Sequence, residues 1–446
     1  MSERTPAWGV DPVPERLRVL GALDQGLLWG SLGVSLLVLV AGALLVPALS
    51  LPRALLAIAV GGVIGATMLG VAGAIGAQAR VPAMVLLRAP LGHRGSYVPT
   101  ALNVIQNLGW ATFELLVIAT AAAALSERLL GVGAQWAWTV AFGAAAAAMA
   151  LLGPISVVRR LLRRFAVWIV LASLAYLTWW ALEATSPAAL WDGRGTGALS
   201  TWEGIDLVVA LVVSWVPLAA DYTRFSRTPR AAFVGTAAGY LVASTWMFAL
   251  GAVLLLGGEL TDPGALPAAV AAAGVASALA LLALTVDETD EAFANVYSAA
   301  VSFQNLVPTA SQRALVLAAS AVATTGALVL DLVRYETFLF LLGSFFVPLF
   351  GVLLAHWLLA GRRYSERDLF AAPPARTPQL VAWLAGFALY QWLHPLGPAW
   401  WTSLVERTSP PDFGLGATLP SFAAAFALGL LAGLVSRRAR PASLPA

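Results

Sequence analysis

The sequence predicts an all-α polytopic membrane protein with twelve transmembrane helices, on three grounds. The first is composition: of 446 residues, 60% are hydrophobic and 11% charged, against roughly 45–50% and about 25% in soluble domains. A soluble fold has nowhere to put that apolar surface. The second is a recurrence of apolar stretches of about twenty residues, each able, at about 1.5 Å per residue, to cross a ~30 Å hydrocarbon core. Lipid offers no partner to a backbone N–H or C=O, which makes the spans helical. The third is arginine placement. Spans are read at 22–48, 54–78, 98–125, 133–153, 160–183, 204–220, 232–257, 266–303, 313–332, 336–359, 377–395 and 416–436. With the N-terminus inside, 21 of the 26 basic residues, all arginine, fall on one side and five (Arg53, Arg128, Arg194, Arg334, Arg407) on the other. This asymmetry predicts both termini in the cytoplasm of a bacterial inner membrane. Met1 to Leu20 is polar without an apolar run, so no cleaved signal peptide is expected.

The same composition excludes several function classes. There is no cysteine and there are three scattered histidines, so thiol chemistry, iron-sulfur ligation and a compact metal site are not expected, and no cofactor is implied. No catalytic triad or metal-ligand spacing stands at a span end, which argues against an enzyme. A channel would need rings of charge around a pore. The net charge of +3 has a topological explanation, so nucleic acid is not an expected partner; the bilayer is.

Taken in order, the first span carries Trp29-Gly30-Ser31-Leu32-Gly33 and the sixth Ser214-Trp215-Val216-Pro217. Paired Gly or Pro interruptions at corresponding places in two halves point to a midplane site lined by unwound backbone. Ordinary packing glycines and a proline kink give the same letters. The third span reads Asn103 to Glu114, and helical spacing puts Asn103, Asn107 (or Gln106), Trp110 and Glu114 on one face. An indole beside amide and carboxylate groups suits a flat ligand with polar edges; an interhelical polar clamp is the other reading. Trp29, Trp136, Trp179, Trp180, Trp357 and Trp392 are read as interfacial belt residues. Asp221, Arg224, Arg227 and Arg230 follow the sixth span as cytoplasmic gate or topology residues able to pair with headgroups and carboxylates.

The eighth segment, 266–303, runs without a turn signal into Asp287, Glu288, Asp290 and Glu291 and on to Phe303. Charge at membrane depth is costly and marks a pathway. Alternatively the span ends near Thr285 and the acids form a solvated loop, in which case the arginine parity fails downstream.

A resemblance appears at Gln106-Asn107-Leu108-Gly109-Trp110, at Arg88 to Tyr97 before it, and at Asp221 to Arg227 after the sixth span. These stretches resemble nucleobase/cation symporters of the purine-cytosine permease type. Asp287 to Ser298 and the opening Trp8 to Arg18 resemble the branch thought to carry hydroxymethylpyrimidine, the thiamine precursor; the likeness covers roughly residues 8–370. It implies a LeuT-type five-plus-five inverted repeat over 22–359, between a cytoplasmic segment 1–21 and a cytoplasmic loop 360–376. Two accessory helices over 377–436 and a tail 437–446 follow. It implies secondary active import of a small aromatic heterocycle, hydroxymethylpyrimidine or cytosine-like, by alternating access with Na+ or H+. A purine, allantoin or hydantoin permease of the same family is the alternative. It also implies that Trp110 and Trp215 sandwich the ring. Glu114, one turn after Trp110, stands where an amide is more usual and would read the ring edge. The expected substrate set is Asn107, Trp110, Glu114, Ser214, Trp215, Gly30 and Asn295. The expected cation set is Gly30, Gly33, Asp287, Thr289 and Asp290, where carboxylates beside Thr289 replace the hydroxyls of sodium-coupled members.

Overall fold

The computed structural model describes residues 9–158, 162, 166–183, 186–258, 260, 262–330, 335–411 and 414–438. Trp8 and the rest of the first eight residues, Arg159, Arg160, Arg163, Arg164, Arg334 and the tail after Arg438 lie outside them.

The first span is two helices, α1 (Ala22–Ser31) and α2 (Leu36–Leu44), meeting at 64°. The break falls at the Gly30–Gly33 stretch. The chain restarts at Ser35, whose Oγ accepts from the Leu37 N–H at 3.1 Å, a serine N-cap. α3 (Leu51–Ala79) follows, and the stretch after it is no open loop: it folds into two buried turns, α4 (Ala83–Leu86) and α5 (Arg88–Leu91). α6 (Tyr97–Leu130) is the third span, α7 (Gln135–Leu152) the fourth, and the short α8 (Pro154–Ser156) leads toward the fifth, α9 (Val167–Glu183). After α10 (Pro187–Asp192), the sixth span breaks into α11 (Thr201–Val213) and α12 (Val216–Thr223), with Pro217 in the first turn of α12, where its missing N–H costs nothing. α13 (Pro229–Gly257) is the seventh span.

The continuous eighth span is corrected. α14 (Leu266–Ala272) is a separate short helix, cut off at Gly274 with φ 152°, a conformation open to glycine. The span proper is α15 (Val275–Asp287) and α16 (Thr289–Leu306), with the ladder tightened at Glu288, whose C=O accepts from Glu291 N–H at 3.0 Å. Asp287, Glu288, Asp290 and Glu291 are all buried in this helix, which overturns the solvated-loop alternative. The chain continues as α17 (Gln312–Val329), α18 (Tyr335–Leu359), α19 (Glu366–Phe370), α20 (Thr377–Leu393), α21 (Ala399–Glu406) and α22 (Thr418–Arg438). Among the described residues 8 helices are long and apolar enough to cross a membrane, or 9 with the bent pair α1–α2 as one span. The other expected spans fall short of that mark by length, as with the 17 residues of α9 and α20 and the 13 of α15, or by their polarity, as with α16. No strand is present among the described residues; one isolated bridge pairs Leu20 with Ser226.

Packing places the two broken spans centrally. α1 and α2 lie against α13, α11 and α12 lie against α3, and α6 lies along α16. A Cβ on Gly33 would stand 3.0 Å from Ala243 Cβ and 3.2 Å from the Tyr240 carbonyl oxygen, so glycine permits the close approach of the break to α13. Trp136, Trp179 and Trp392 are exposed, as a belt position requires. Trp180 and Trp357 are half-buried. Trp29 is a correction: it is wholly buried, donates to Gln25 Oε1 at 3.1 Å and meets Trp215 and Tyr222 edge-on.

At the arginine-rich end the expected headgroup partners are corrected for two residues. Asp221 and Arg224 are fully buried: Asp221 accepts from the Ala83 N–H at 2.9 Å, and Arg224 donates to the Gly9 carbonyl at 2.7 Å and to Tyr297 Oη at 2.8 Å. Arg18 donates to the Ser226 and Arg227 carbonyls. The Arg18 and Arg224 bonds hold the segment before α1 across the end of α12.

At the opposite end Asp206 in α11 receives the N-terminus of α22, accepting from Ala417 N–H at 3.1 Å, Thr418 N–H at 2.9 Å and Thr418 Oγ1 at 2.8 Å. Asp206→Ala is expected to cost about 2 kcal/mol, the upper end for a lost helix cap, seen as a lower thermal midpoint of the purified protein in detergent, with Asp206→Asn intermediate. An unchanged midpoint would mean that α22 is held by other contacts.

Candidate functional site

A narrow cavity of about 20 Å3 lies between the broken spans and is lined by Ser35, Trp110, Glu114, Ser214, Trp215, Tyr240, Glu291 and Asn295 among apolar neighbours. Its position follows from the breaks. In lipid an unwound turn exposes N–H and C=O groups that water cannot satisfy, and two long side chains supply the missing partners. Glu288 of the eighth span accepts from the Leu36 N–H with both oxygens at 3.0 Å and from Ser35 Oγ at 2.8 Å. It thereby caps the positive end of α2. Gln106 of the third span donates Nε2 to the Ser214 carbonyl at 3.0 Å, meeting the exposed acceptor at the end of α11. The two breaks are thus pinned by the helices that run beside each other, α16 and α6.

Trp110 and Trp215 both reach the cavity, from α6 and from the turn between α11 and α12. Tyr240 of α13 closes the aromatic side, with its ring 6.5 Å from that of Trp215. Glu114, Glu291 and Asn295 give the polar side, and Asn295 Nδ2 is held by the Glu291 carbonyl at 3.1 Å. Glu114, Glu288 and Glu291 each place a carboxylate oxygen within 4.8 Å of the others, a donor set that could hold a cation. Asp287 lies beside the break itself, accepting from Ser31 Oγ at 3.3 Å. Asp290 is buried with neither carboxylate oxygen hydrogen-bonded to the described residues.

The residues singled out in the sequence divide accordingly. Trp110, Glu114, Ser214, Trp215 and Asn295 line the cavity; Gly30, Gly33 and Asn107 do not. Gly30 faces the backbone of Gly239, and Gly33 the backbone of Tyr240 and Ser244, so the space these glycines leave is taken by α13. Asn107 is fully buried, and its side-chain amide has no hydrogen bond among the described residues. Of the two candidates at that turn, Gln106 reaches a break. Asp287 meets Ser31 at the end of α1, and Thr289 and Asp290 follow it at the start of α16. Sequence reasoning passed over Glu288, Glu291, Ser35 and Tyr240. The two glutamates stood inside an acidic run already marked; Ser35 follows Gly33 as an N-cap type residue; Tyr240 carries no signal beyond an aromatic ring in an apolar span.

The family of permeases for cytosine/purines, uracil, thiamine and allantoin matches residues 12–389. Two cytosine permeases of Escherichia coli are similar: that of strain K12 at 27% identity over 353 residues and that of O157:H7 at 26% over 352, each match covering 75% of this chain and 78% of the relative. Among solved structures, Mhp1, a nucleobase-cation-symport-1 family transporter in a closed conformation with bromovinylhydantoin bound, superposes with a TM-score of 0.81 at 19% identity over 98% of this chain and 97% of its own. Its inward-facing conformation gives 0.76, and a Na+-coupled sialic acid symporter 0.60 at 11% identity over 95% and 90%. The fold is therefore the LeuT type. The chain belongs to the nucleobase/cation symporter family, permeases of the membrane and not enzymes.

Proposed function

We propose that this symporter imports a small aromatic heterocycle, hydroxymethylpyrimidine or a cytosine-like nucleobase, together with Na+ or H+. Import runs across a bacterial inner membrane with both termini in the cytoplasm, where 21 of 26 arginines are placed by the span map. The observation that carries the reading is that Trp110, Trp215 and Glu114 line one cavity between the two broken spans. Two indoles grip a flat ring, and a carboxyl group and Asn295 read its edge. Ser214 supplies backbone at the break, with Gly30 and Asn107 behind the first layer. The similarity to Escherichia coli cytosine permease supports the pyrimidine over a purine, allantoin or hydantoin. The coupling ion is assigned to Asp287, Thr289 and Asp290 facing the Gly30–Gly33 stretch; the Ser31–Asp287 bond supports that assignment. Uptake competition among cytosine, hydroxymethylpyrimidine, uracil, allantoin and hydantoin, with and without sodium, tests the whole reading.

Stacking on an indole contributes roughly 0.5–1.5 kcal/mol beyond area burial whatever the ring, so Trp110→Ala is expected to weaken all ligands by a similar factor, about tenfold. Selection rests on the edge. An aminopyrimidine presents an amino donor beside a ring nitrogen, and a protonated Glu114 offers the matching acceptor and donor; an ionised Glu114 accepts two bonds from a protonated ring. Uracil turns a carbonyl toward the same group, a mismatch that sites built on buried hydrogen bonds reject strongly. Glu114→Gln should therefore erase the preference for cytosine and hydroxymethylpyrimidine over uracil. An unchanged preference would make Glu114 an interhelical clamp.

A carboxylate at membrane depth either ligates a metal cation or carries a proton. Uptake by Asp290→Asn is expected to lose its dependence on sodium or on pH, whichever the wild type shows. Full retention of both dependences would remove Asp290 from the coupling site.

A further inference from the structure

The cavity holds more carboxyl groups than a neutral nucleobase would require. Glu114 and Glu291 both line it, and Glu288 places an oxygen within 4.8 Å of each. Glu288 is engaged with Ser35 and Leu36, whereas Glu114 Oε2 and Glu291 Oε1 are buried without a hydrogen-bond partner among the described residues. A separate observation points at the same space. Tyr240, on a different helix, is wholly buried and lines the cavity, and its hydroxyl also has no partner among the described residues. No arginine or histidine is among the described residues that line the cavity. Buried carboxyl groups so arranged either hold protons or are matched by a positive charge, and the adjoining surface favours the second: Trp110, Trp215 and Tyr240 offer π faces that attract cations.

We infer that the ligand of this cavity is a planar heteroaromatic cation, either a ring protonated on binding or one with fixed charge, held between the aromatic faces and bonded at its edge by Glu114 and Glu291. This rests on the reading of the cavity as the substrate site and narrows its substrate class. Glu291 is then a ligand-binding residue, and the Tyr240 hydroxyl accepts from the amino group of the ring. The carboxylates receive N–H donors of the cation in charge-assisted bonds, which are about twice as strong as neutral ones. The aromatic faces add a preference for charge over an equally flat neutral ring.

The test compares two isosteres binding to the purified full-length protein in detergent, in sodium-free buffer: 4-amino-1-methylpyridinium, whose charge is fixed, and 4-methylaniline, neutral at neutral pH. Cytosine is measured alongside. The cation is expected to bind at least about tenfold more tightly than its neutral isostere. Glu291→Gln should reduce that ratio several-fold, with little change for 4-methylaniline. Because the wild-type ratio is informative alone, a variant that fails to fold leaves the test intact. Equal binding of the isosteres, or tighter binding of the neutral one, overturns the inference. Displacement of the pyridinium by millimolar sodium or magnesium also overturns it, since the acids would then hold an inorganic ion. Cytosine binding without any pyridinium binding would sink this inference and leave the nucleobase reading standing; pyridinium binding without cytosine binding would do the reverse.

Discussion

The structure depends on one constraint: a helix broken inside lipid must find partners for its exposed backbone within the protein. The first span meets it with Glu288, which takes the Leu36 N–H and the Ser35 hydroxyl. The sixth meets it with Gln106, which donates to the Ser214 carbonyl. Neither partner belongs to a broken span; they come from the eighth and the third. The requirement to satisfy backbone therefore assembles four spans around one point, and the cavity lies there because the breaks do.

Function follows from what those four spans carry past the contact points. One turn beyond Gln106 the third span presents Trp110 and then Glu114; one turn beyond Glu288 the eighth presents Glu291 and then Asn295. The groups that line the cavity are thus fixed to the same helices that hold the breaks open, so a ligand drawn to Glu114 or Glu291 would act on the pins of both broken spans. Closure at the arginine-rich end uses a different set: Arg224 on Gly9 and Tyr297, Asp221 on Ala83, Arg18 on Ser226 and Arg227. Each of these bonds has a side chain on at least one side, and they can be exchanged without unfolding a helix. That is the separation alternating access needs, a stable centre and a replaceable seal.

Much of this was legible in the sequence because helix breakers and intramembrane charge are rare enough to carry meaning. Gly30 to Gly33 and Ser214 to Pro217 marked both breaks, and the Trp110–Glu114 face marked the cavity wall. The errors share a cause, which is that a sequence gives the face of a helix and not its neighbour. Trp29 was read as an interfacial residue because it lies near a span start, yet it is buried in the core against Trp215 and Tyr222. Gly30 and Gly33 were assigned to ligand and ion, but the room they leave is occupied by α13. Asn107 and Gln106 differ by one residue, and the longer side chain reaches the break. In the eighth segment the turn at Gly274 was hidden inside an alanine-rich run, where hydropathy alone does not show a reversal. Tyr240 needed the seventh span to be placed behind the first, which no local pattern encodes.

On the proposed reading, substrate and coupling cation meet at one junction, where the eighth span caps the broken first span. Calorimetric titration of cytosine into the purified protein, with and without sodium and across pH, tests it most directly, because linkage requires that an ion bound at that junction change substrate affinity, and the substrate the ion's, by the same factor. Sodium or acidification is expected to tighten cytosine binding in the wild type, and Glu288→Ala, which releases the start of α2, to remove the coupling. Cytosine affinity independent of both sodium and pH in the wild type would contradict it.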